Sequence, residues 1–423
     1  MNTRLQIILP AALAGAAALV CSSAALAAPT WLTIGERAHA LLVQVAPQAQ
    51  TSPQTLASRE VQVTLPVKRG GSALTQGVEV VHAVQVDDAA LPLLSEAVHS
   101  QLNRCGGFAQ HASMAEALAT LHRLQGTPAP APAVSYAIDN VAEVNAMLPQ
   151  LQASNILATI QSLSDFQNRR YNSSHGVAAS DWLFSKWKSL DPGDRRNIRV
   201  TQIPHAGWPQ KSVQFEIVGS TNELIILGGH LDSIAGGAPE TARAPGADDD
   251  ASGVAILTEV IRVLMASNYQ PKRTVRFIAY AAEEVGLLGS QAIAAAQALQ
   301  RVRLVGVLQL DMTAYQGDAT DLWLISDYTD AAQNGFLAAL AAAYLPGLTV
   351  GFDACGYACS DHASWFNRGY VASFPFEATL AHSNPTIHSA SDTIATFGGQ
   401  ANHALKFSQL ALAYAVELGS DLP

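Results

Sequence analysis

The chain has 423 residues, and its 24 Lys and Arg against 34 Asp and Glu give a formal net charge of −10. A hydrophobic content of 49% with 14% charged residues predicts a folded protein and argues against intrinsic disorder. The negative charge argues against a nucleic-acid-binding protein, because phosphate contacts require clustered Lys and Arg.

Residues 1–27 have the features of a signal peptide. Arg4 precedes an apolar run, and the sequence ALA at residues 25–27 fits a signal-peptidase site. The run is short and contains Pro10, so we expect no stable membrane anchor. The expected outcome is cleavage near Ala27 and secretion into the periplasm or the medium, where disulfides can form.

Residues 28–133, called the N-terminal unit below, are predicted to form a small α/β unit. The runs VQVTLPV and GVEVVHAVQV are typical of strands, and LLSEAVHSQLNRC and MAEALATLHRL are typical of helices. The unit ends in GTPAPAPA at residues 126–133, a Pro-Ala segment that predicts an extended, exposed linker. It contains Cys105, and we find no catalytic motif in it.

Residues 134–423, called the C-terminal unit below, alternate between strand-like and helical segments. The strand-like runs are SVQFEIVGS, ELIILGGHLDS, TVRFIAYAAEE, LVGVLQLDMT, LWLISD and VASFPFE. Helical stretches are predicted at 151–166, 178–189, 251–268, 290–300, 331–345 and 401–418. This alternation predicts an α/β fold with a mostly parallel mixed β-sheet and helices on both faces.

Acidic residues and histidines follow several of these predicted elements, where open α/β sheets bind their ligands. They are His230, Asp232, Glu283, Glu284, Asp311 and His388. The triplet Asp248–Asp250 precedes a predicted helix; alone it is typical of a solvated loop whose last Asp caps that helix. Together these residues predict a zinc site, because zinc prefers His nitrogen and carboxylate oxygen, and one carboxylate can bridge two ions.

Cys355 and Cys359 lie four residues apart in CGYACSDH, with a glycine between them. We predict a disulfide between them. The alternative is a C-x-x-x-C zinc site, for which His362 offers one more ligand nearby.

The motifs GGHLDS, PGADDDASG, AYAAEEVGLLGS, LQLDMT, CGYACSDHASW and NPTIH occur in this order over residues 134–420. Together they resemble the secreted bacterial leucyl aminopeptidases, two-zinc enzymes of the zinc aminopeptidase/carboxypeptidase class. The resemblance implies a hydrolase that binds two Zn²⁺ and releases hydrophobic, leucine-like residues from peptides with a free N-terminus. It implies Glu283 as general base, a cis peptide between Asp249 and Asp250, and Asp249 as the bridge in the ligand set His230, Asp249, Glu284, Asp311 and His388.

Two further roles follow from the positions of the residues. Asp232, two residues past His230, would accept the second ring N–H of that histidine, and Tyr357, between the two cysteines of the disulfide loop, would donate a hydrogen bond to the developing oxyanion. Beside that loop, the resemblance implies an apolar substrate pocket lined by Met312, Ile325, Phe374, Phe376, Leu380 and Ile387. Leu380 and Ser383 replace aromatic residues of the family pattern, which leaves the side-chain preference open. His382 is the rival of His388 as the late ligand.

Two other functions remain open. The first is a related enzyme on the same scaffold, such as a carboxypeptidase, an aminoacylase or a glutaminyl cyclase. An Arg placed to bind a C-terminal carboxylate would favour the carboxypeptidase. A binding protein that has lost catalysis is the second, but neither a ligand nor Glu283 is missing.

The N-terminal unit is expected to be a propeptide that assists folding, covers the active-site mouth and is removed near the linker. The alternative is a permanent accessory domain. We expect a monomer.

Overall fold

The structure is a computed structural model that describes residues 29–66, 74–102, 104, 106–124, 136–191, 193 and 195–420. The predicted signal peptide, the Pro-Ala linker and Cys105 lie outside the described residues. Within the described ranges, no helix combines the length and hydrophobicity that a membrane span requires.

The N-terminal unit contains an antiparallel sheet with the strand order β2-β3-β1-β4. Its elements are β1 (Pro29–Gly35), α1 (Glu36–Val45), β2 (Gln54–Pro66), β3 (Leu74–Asp87), α2 (Leu91–Leu102), β4 (Phe108–His111) and α3 (Met114–Arg123). The two predicted strands match β2 and β3, and the two predicted helices match α2 and α3. The sequence did not predict β1, α1 or β4. A separate core, which includes Leu42, Val98 and Phe108, lies under this sheet.

The C-terminal unit is built on a six-stranded sheet with the order β12-β9-β7-β8-β6-β5 and a three-stranded sheet with the order β11-β10-β13. Its strands are β5 (Ile198–Ile203), β6 (Ser212–Ile217), β7 (Glu223–His230), β8 (Thr274–Tyr280), β9 (Arg303–Gln309), β10 (Leu322–Ile325), β11 (Val350–Asp353), β12 (Ala372–Ser373) and β13 (Pro375–Phe376). Its helices are α4 (Val141–Met147), α5 (Ala153–Ser164), α6 (Ser174–Lys188), α7 (Ala251–Ala266), α8 (Leu288–Leu299), α9 (Ala331–Tyr344), α10 (His362–Phe366) and α11 (Asn402–Ser420).

Helices cover both faces of the larger sheet. Alternate residues of β7 show this, since they pack into two different cores. Ile225 and Leu227 pack in the larger core with α5, α7 and α11. Leu224 and Ile226 pack in a smaller core with α8 and α10. Strands β12, β9, β7 and β8 run parallel to one another. Strand β6 is antiparallel to both of its neighbours, β8 and β5. The predicted α/β fold with a mostly parallel mixed sheet is confirmed.

The prediction of one strand at VASFPFE is wrong. The chain changes sheets at Phe374: β12 pairs with β9 in the larger sheet, and β13 pairs with β10 in the smaller one. The carbonyl of Phe374 accepts from the backbone N–H of Ile325 (2.9 Å), and the next residue, Pro375, has no N–H to donate to a ladder.

Parallel strands place their carboxyl ends at one edge of the sheet. Strands β7, β8 and β9 end at His230, Tyr280 and Gln309. The residues that the sequence singled out after each strand therefore start from the same edge, which positions the site described below.

The sheet of the N-terminal unit contains a histidine that makes its stability depend on pH. His111 is 7% exposed, and its Nε2 lies 2.9 Å from Oγ1 of Thr33. Burial, with the nearby Arg368 and Arg123, lowers the pKa of His111 to about 3. Because the folded pKa lies below the unfolded value, the stabilisation is complete above about pH 6.5 and is lost as the pH falls towards 3.

We therefore expect the N-terminal sheet to open more easily at pH 5 than at pH 7. His111 alone should lower the opening free energy by about 2 kcal/mol over that interval. Hydrogen exchange of the β1 and β4 amides, corrected for intrinsic rates, measures it. His111→Gln keeps a side chain able to bond Thr33 and does not titrate, so its opening energy should change less. An equal change in both proteins would contradict the role of His111.

Candidate metal centre

The carboxylate of Asp250 joins three elements at the carboxyl edge of the sheet. Its Oδ1 accepts from the N–H of Gly253 in the first turn of α7 (2.8 Å) and from that of Met312 after β9 (3.3 Å). Its Oδ2 accepts from the N–H of His230 at the end of β7 (2.9 Å). A Cβ at position 253 would lie 2.3 Å from the carbonyl oxygen of Leu310 and 2.6 Å from Oδ1 of Asp250, which explains the glycine there.

The carboxylate of Asp248 has a different set of partners. It accepts from the N–H of Ala314 (2.8 Å) and from Nδ2 of Asn384 (3.1 Å). Asp392 in turn accepts from the backbone N–H groups of Asp248 (3.2 Å) and Asp249 (3.1 Å). The Asp249–Asp250 peptide is cis, as the resemblance implies.

Asp249 is directed between two histidines. Its Oδ1 lies 2.9 Å from Nε2 of His230, and its Oδ2 lies 3.1 Å from Nε2 of His388. Nε2 of His388 is also 3.0 Å from Oε2 of Glu284, and Nε2 of His230 is 3.5 Å from Oδ1 of Asp311. The structure therefore brings the five predicted ligand residues together, with Asp249 between two halves.

Donor atoms of the site form two groups. His230, Asp249 and Asp311 each offer one atom, and these atoms lie within 4.8 Å of one another. His99, Glu284 and His388 form a second group within the same limit. Imidazole nitrogen and carboxylate oxygen are ligands that zinc accepts, so the residues present fit a metal centre.

The electrostatics of the site favour a bound cation. Burial raises the pKa of Glu284 to about 7 and that of Asp392 to about 8. Burial lowers the pKa of His388, but the carboxylates of Glu284 and Asp249 outweigh it and raise that pKa to about 10. Buried carboxylates without a counter-charge are costly, and a cation between them would reduce that cost.

Glu283 lies at the same edge but belongs to neither donor group. Its carboxylate is fully buried, and neither oxygen has a hydrogen-bond partner among the described residues. Burial raises the pKa of Glu283 well above its usual value. Such a carboxylate is available to accept a proton from a molecule that enters the site.

Asp232 has partners on both its carboxylate and its backbone carbonyl. Its carboxylate accepts from the N–H groups of Glu283 (2.9 Å) and Glu284 (3.2 Å). Nδ1 of His230 is 3.0 Å from the backbone carbonyl oxygen of Asp232, whereas the carboxylate is 3.6 Å away. The carboxylate of Asp232 therefore positions the two glutamates, and its carbonyl oxygen is the nearer partner of the imidazole.

Three residues of the site have a left-handed backbone. Ala282 (φ 58°) precedes Glu283, Met312 (φ 54°) follows Asp311, and His388 (φ 55°) belongs to a donor group. Each costs about 1–2 kcal/mol for a residue with a Cβ atom. Hydrogen bonds such as that from Met312 to Asp250 offset part of this cost.

An apolar cluster lies beside the two donor groups. Its buried members are Met312, Ile325, Cys355, Tyr357, Cys359, Phe374, Phe376 and Ile387, and Leu380 packs against them partly buried. These are the residues that the sequence predicted for the pocket and its rim. Two further histidines of this region lie outside both donor groups: His362 stacks on Phe374, and His382 bonds Asp318 (2.6 Å).

The disulfide between Cys355 and Cys359 is present, so the prediction of that pair is confirmed over the zinc alternative. Asp327 holds the loop that this disulfide closes. Its carboxylate accepts from the N–H groups of Cys355 and Gly356, both at 2.8 Å. Tyr357, at the centre of the loop, is 2% exposed.

The N-terminal unit lies directly on this site. Oγ of Ser95 donates to the carbonyl oxygen of Glu284 (3.2 Å), and the guanidinium of Arg104 lies 4.9 Å from the centroid of the Tyr357 ring. A Cβ at Gly106 would be 4.0 Å from Oε1 of Glu283. A second contact, away from the site, joins Glu116 to Arg368 (2.6 Å).

His99 was not predicted as a site residue. It lies in α2, within an ordinary amphipathic helical segment of the sequence. Helical periodicity indicates which face of such a segment is buried, but not what covers that face. No signal in the sequence alone could have placed it at the metal centre.

The arrangement around Asp250 leads to a test of stability. Asp250→Ala leaves three buried N–H groups without their carboxylate partner, so we expect the unfolding free energy to fall by about 3 kcal/mol or more. Asp330→Ala is the matched control, because Asp330 caps α9 through one N–H group (Gln333, 2.9 Å) and should cost about 1 kcal/mol. Urea unfolding of both variants measures the difference. Equal losses would show that Asp250 is only a helix cap.

Residues 212–413 match the model of peptidase family M28. The chain is 37% identical over 294 residues to leucine aminopeptidase 1 of Metarhizium robertsii, which covers 66% of this chain and 73% of that protein. It resembles the crystal structure of the LapA aminopeptidase of Legionella pneumophila with a TM-score of 0.71 and 28% identity, over 94% of this chain and 100% of that one. Glutaminyl cyclase of Porphyromonas gingivalis shares the fold, with a TM-score of 0.50 and 19% identity over 63% of this chain and 99% of that one.

Proposed function

The chain belongs to peptidase family M28, and we propose that it is a secreted two-zinc aminopeptidase that releases apolar, leucine-like residues from the N-termini of peptides. The observation that carries the proposal is the pairing of two donor groups through Asp249 beside a buried apolar cluster. The names of relatives such as leucine aminopeptidase 1 support the class of substrate.

One zinc ion would be held by Asp249, Glu284 and His388, and the other by His230, Asp249 and Asp311. When bound, the two ions lower the pKa of a water molecule and polarise the scissile carbonyl group. The ends of β7, β8 and β9 and the triplet loop carry four of these residues, and the loop after β13 carries His388, so the protein would orient them before a substrate arrives.

Glu283 is proposed as the general base. It accepts the proton of the attacking water and passes it to the departing amine. The two backbone N–H bonds at Asp232 fix the chain at Glu283 and Glu284 while leaving the Glu283 carboxylate oxygens without hydrogen bonds to described residues. Two adjacent glutamates thereby take different roles.

Tyr357 is proposed to donate a hydrogen bond to the developing oxyanion. The disulfide and the two hydrogen bonds to Asp327 hold its loop rigid. A donor that is already in place costs no reorganisation during the reaction, which is what electrostatic stabilisation requires.

The alternative enzymes have less support. A carboxypeptidase needs an arginine for the C-terminal carboxylate, but buried Arg169 donates to the carbonyl oxygens of Leu231 (2.7 Å) and Gly246 (2.9 Å). Arg104 belongs to the N-terminal unit. An excess of carboxylates suits a free α-amino group instead, which favours an aminopeptidase. The likeness to a glutaminyl cyclase concerns the fold alone.

We further propose that the N-terminal unit is a propeptide and that the chain is exported as an inactive precursor. The contacts of Ser95, Arg104 and Gly106 with the site support this, because they cover the residues that a substrate must reach. The contacts explain why a permanent accessory domain is the weaker alternative.

The secreted, active protein should therefore begin near the Pro-Ala linker at residues 126–133. N-terminal sequencing of protein purified from the medium or periplasm by its activity measures this. A fully active protein that begins near Ala28 would refute the propeptide.

Separate substitutions of Glu283 and Glu284 in the mature protein test the proposed chemistry. Glu283→Gln should retain both zinc ions and lose kcat for leucyl-anilide by about 10²–10⁴-fold, since the amide cannot accept a proton. KM should change less, because the loss affects the transition state. Glu284→Ala should lose zinc as well as activity.

The same assay tests the reaction class. Wild-type protein should hydrolyse leucyl-anilide and leave its N-acetylated form intact, and chelation of zinc should abolish the activity. Activity of Glu283→Gln within a few-fold of wild type, or zinc loss equal to that of Glu284→Ala, would contradict the assigned roles. Cleavage of the acetylated substrate would contradict an aminopeptidase.

A further inference from the structure

A histidine of the N-terminal unit lies within the proposed metal centre. Nε2 of His99 is 3.5 Å from Oε2 of Glu284, and the ring centroids of His99 and His388 are 4.4 Å apart. Ser95 lies one helical turn earlier on α2, and its hydroxyl donates to the carbonyl oxygen of Glu284 (3.2 Å). Since residues four apart share a helix face, α2 presents both side chains to Glu284.

The environment of His99 lacks the hydrogen bonds that a buried imidazole needs. The residue is 8% exposed, and neither ring nitrogen makes a well-formed hydrogen bond to the described residues; the carboxylate of Glu284 remains 3.5 Å from Nε2. Leaving a buried polar group unsatisfied costs about 1–3 kcal/mol. A metal ion that binds Glu284 and His388 would satisfy one nitrogen of His99, because donor atoms of all three residues lie within 4.8 Å of one another.

We propose that His99 is an inhibitory zinc ligand of the precursor. With Asp249, Glu284 and His388 it gives one zinc ion four protein ligands. Four protein ligands are typical of structural zinc sites, whereas a catalytic site keeps one position open for water. His99 takes that open position, so the metal that serves catalysis in the mature protein also binds the N-terminal unit in the precursor. This proposal rests on the two-zinc function proposed above.

A ligand exchange in the uncleaved, cobalt-loaded precursor tests the proposal directly. In His99→Cys the introduced thiolate should bind the metal and give a thiolate-to-cobalt charge-transfer band in the near ultraviolet. His82→Cys is the matched control. His82 belongs to the same unit, but its ring bonds Ser58 (2.8 Å) and Glu36 (2.6 Å), so no band is expected.

Zinc release to a chelator gives a second measurement without a thiolate. Loss of even an outer-shell partner weakens metal binding by roughly 10–100-fold, so the His99→Gln precursor should release one zinc ion at least about tenfold faster than wild type. His82→Gln should release it at the wild-type rate. In the unsubstituted chain, cleavage of the linker and removal of the unit should change the visible cobalt spectrum, because water replaces an imidazole.

Absence of the band in folded His99→Cys would overturn the proposal, as would unchanged zinc release from His99→Gln. Should neither variant fold, an unchanged cobalt spectrum on removal of the unit would overturn it. If the mature protein hydrolyses leucyl-anilide but the precursor shows neither the charge-transfer band nor the change in zinc release, the role of His99 is refuted and the proposed aminopeptidase function stands. If the band is present but the mature protein does not hydrolyse leucyl-anilide, the proposed aminopeptidase function is refuted and His99 remains a metal ligand.

Discussion

One carboxylate, that of Asp250, fixes the geometry on which the site depends. It accepts hydrogen bonds from the end of β7, the start of α7 and the segment after β9, three elements that are distant in sequence. Asp249 is its neighbour, so the direction of the Asp249 side chain is set by the same anchor. The three adjacent aspartates are thus compatible because each has separate partners: backbone and Asn384 for Asp248, two histidines for Asp249, and three N–H groups for Asp250.

The cost of this arrangement is a concentration of buried negative charge. Burial raises the pKa values of Glu284 and Asp392, and Asp361 is raised in the same way to about 7. The guanidinium of Arg169, fully buried nearby, is bound to backbone carbonyl oxygens and contributes its charge at a distance. The site is therefore suited to cations, and this one property accounts for both the proposed metal ions and the proposed preference for a free α-amine.

Much of the fold could be predicted because the strands are long apolar runs that stand out between helical periods, as at β7 and β8. The set of site residues could be proposed because chemistry limits which residue types bind zinc. The group of Asp232 that contacts the His230 ring could not be predicted. Asp232 lies two residues past the end of β7, where both its carbonyl oxygen and its carboxylate can reach the ring. The division at Phe374 had one local signal, Pro375, which cannot donate to a strand ladder, but the pairing with two different sheets could not be predicted from it. The placement of His99 depends on docking between units, which leaves no local pattern.

The N-terminal unit contacts the rest of the chain over a broad face. It does so through α2 at the metal centre, through Ala109 of β4, which shares a buried cluster with Leu287 and Tyr328, and through Glu116 of α3 at Arg368. Cutting the linker breaks one covalent bond and none of these contacts. What the cut changes is the effective concentration of the unit, which drops from that of a tethered partner to that of a free protein. Under the proposed cleavage, several simultaneous contacts would slow dissociation, so the severed unit would be retained until dilution or degradation removes it. The onset of activity would then be set by the release of a bound protein as well as by the cut.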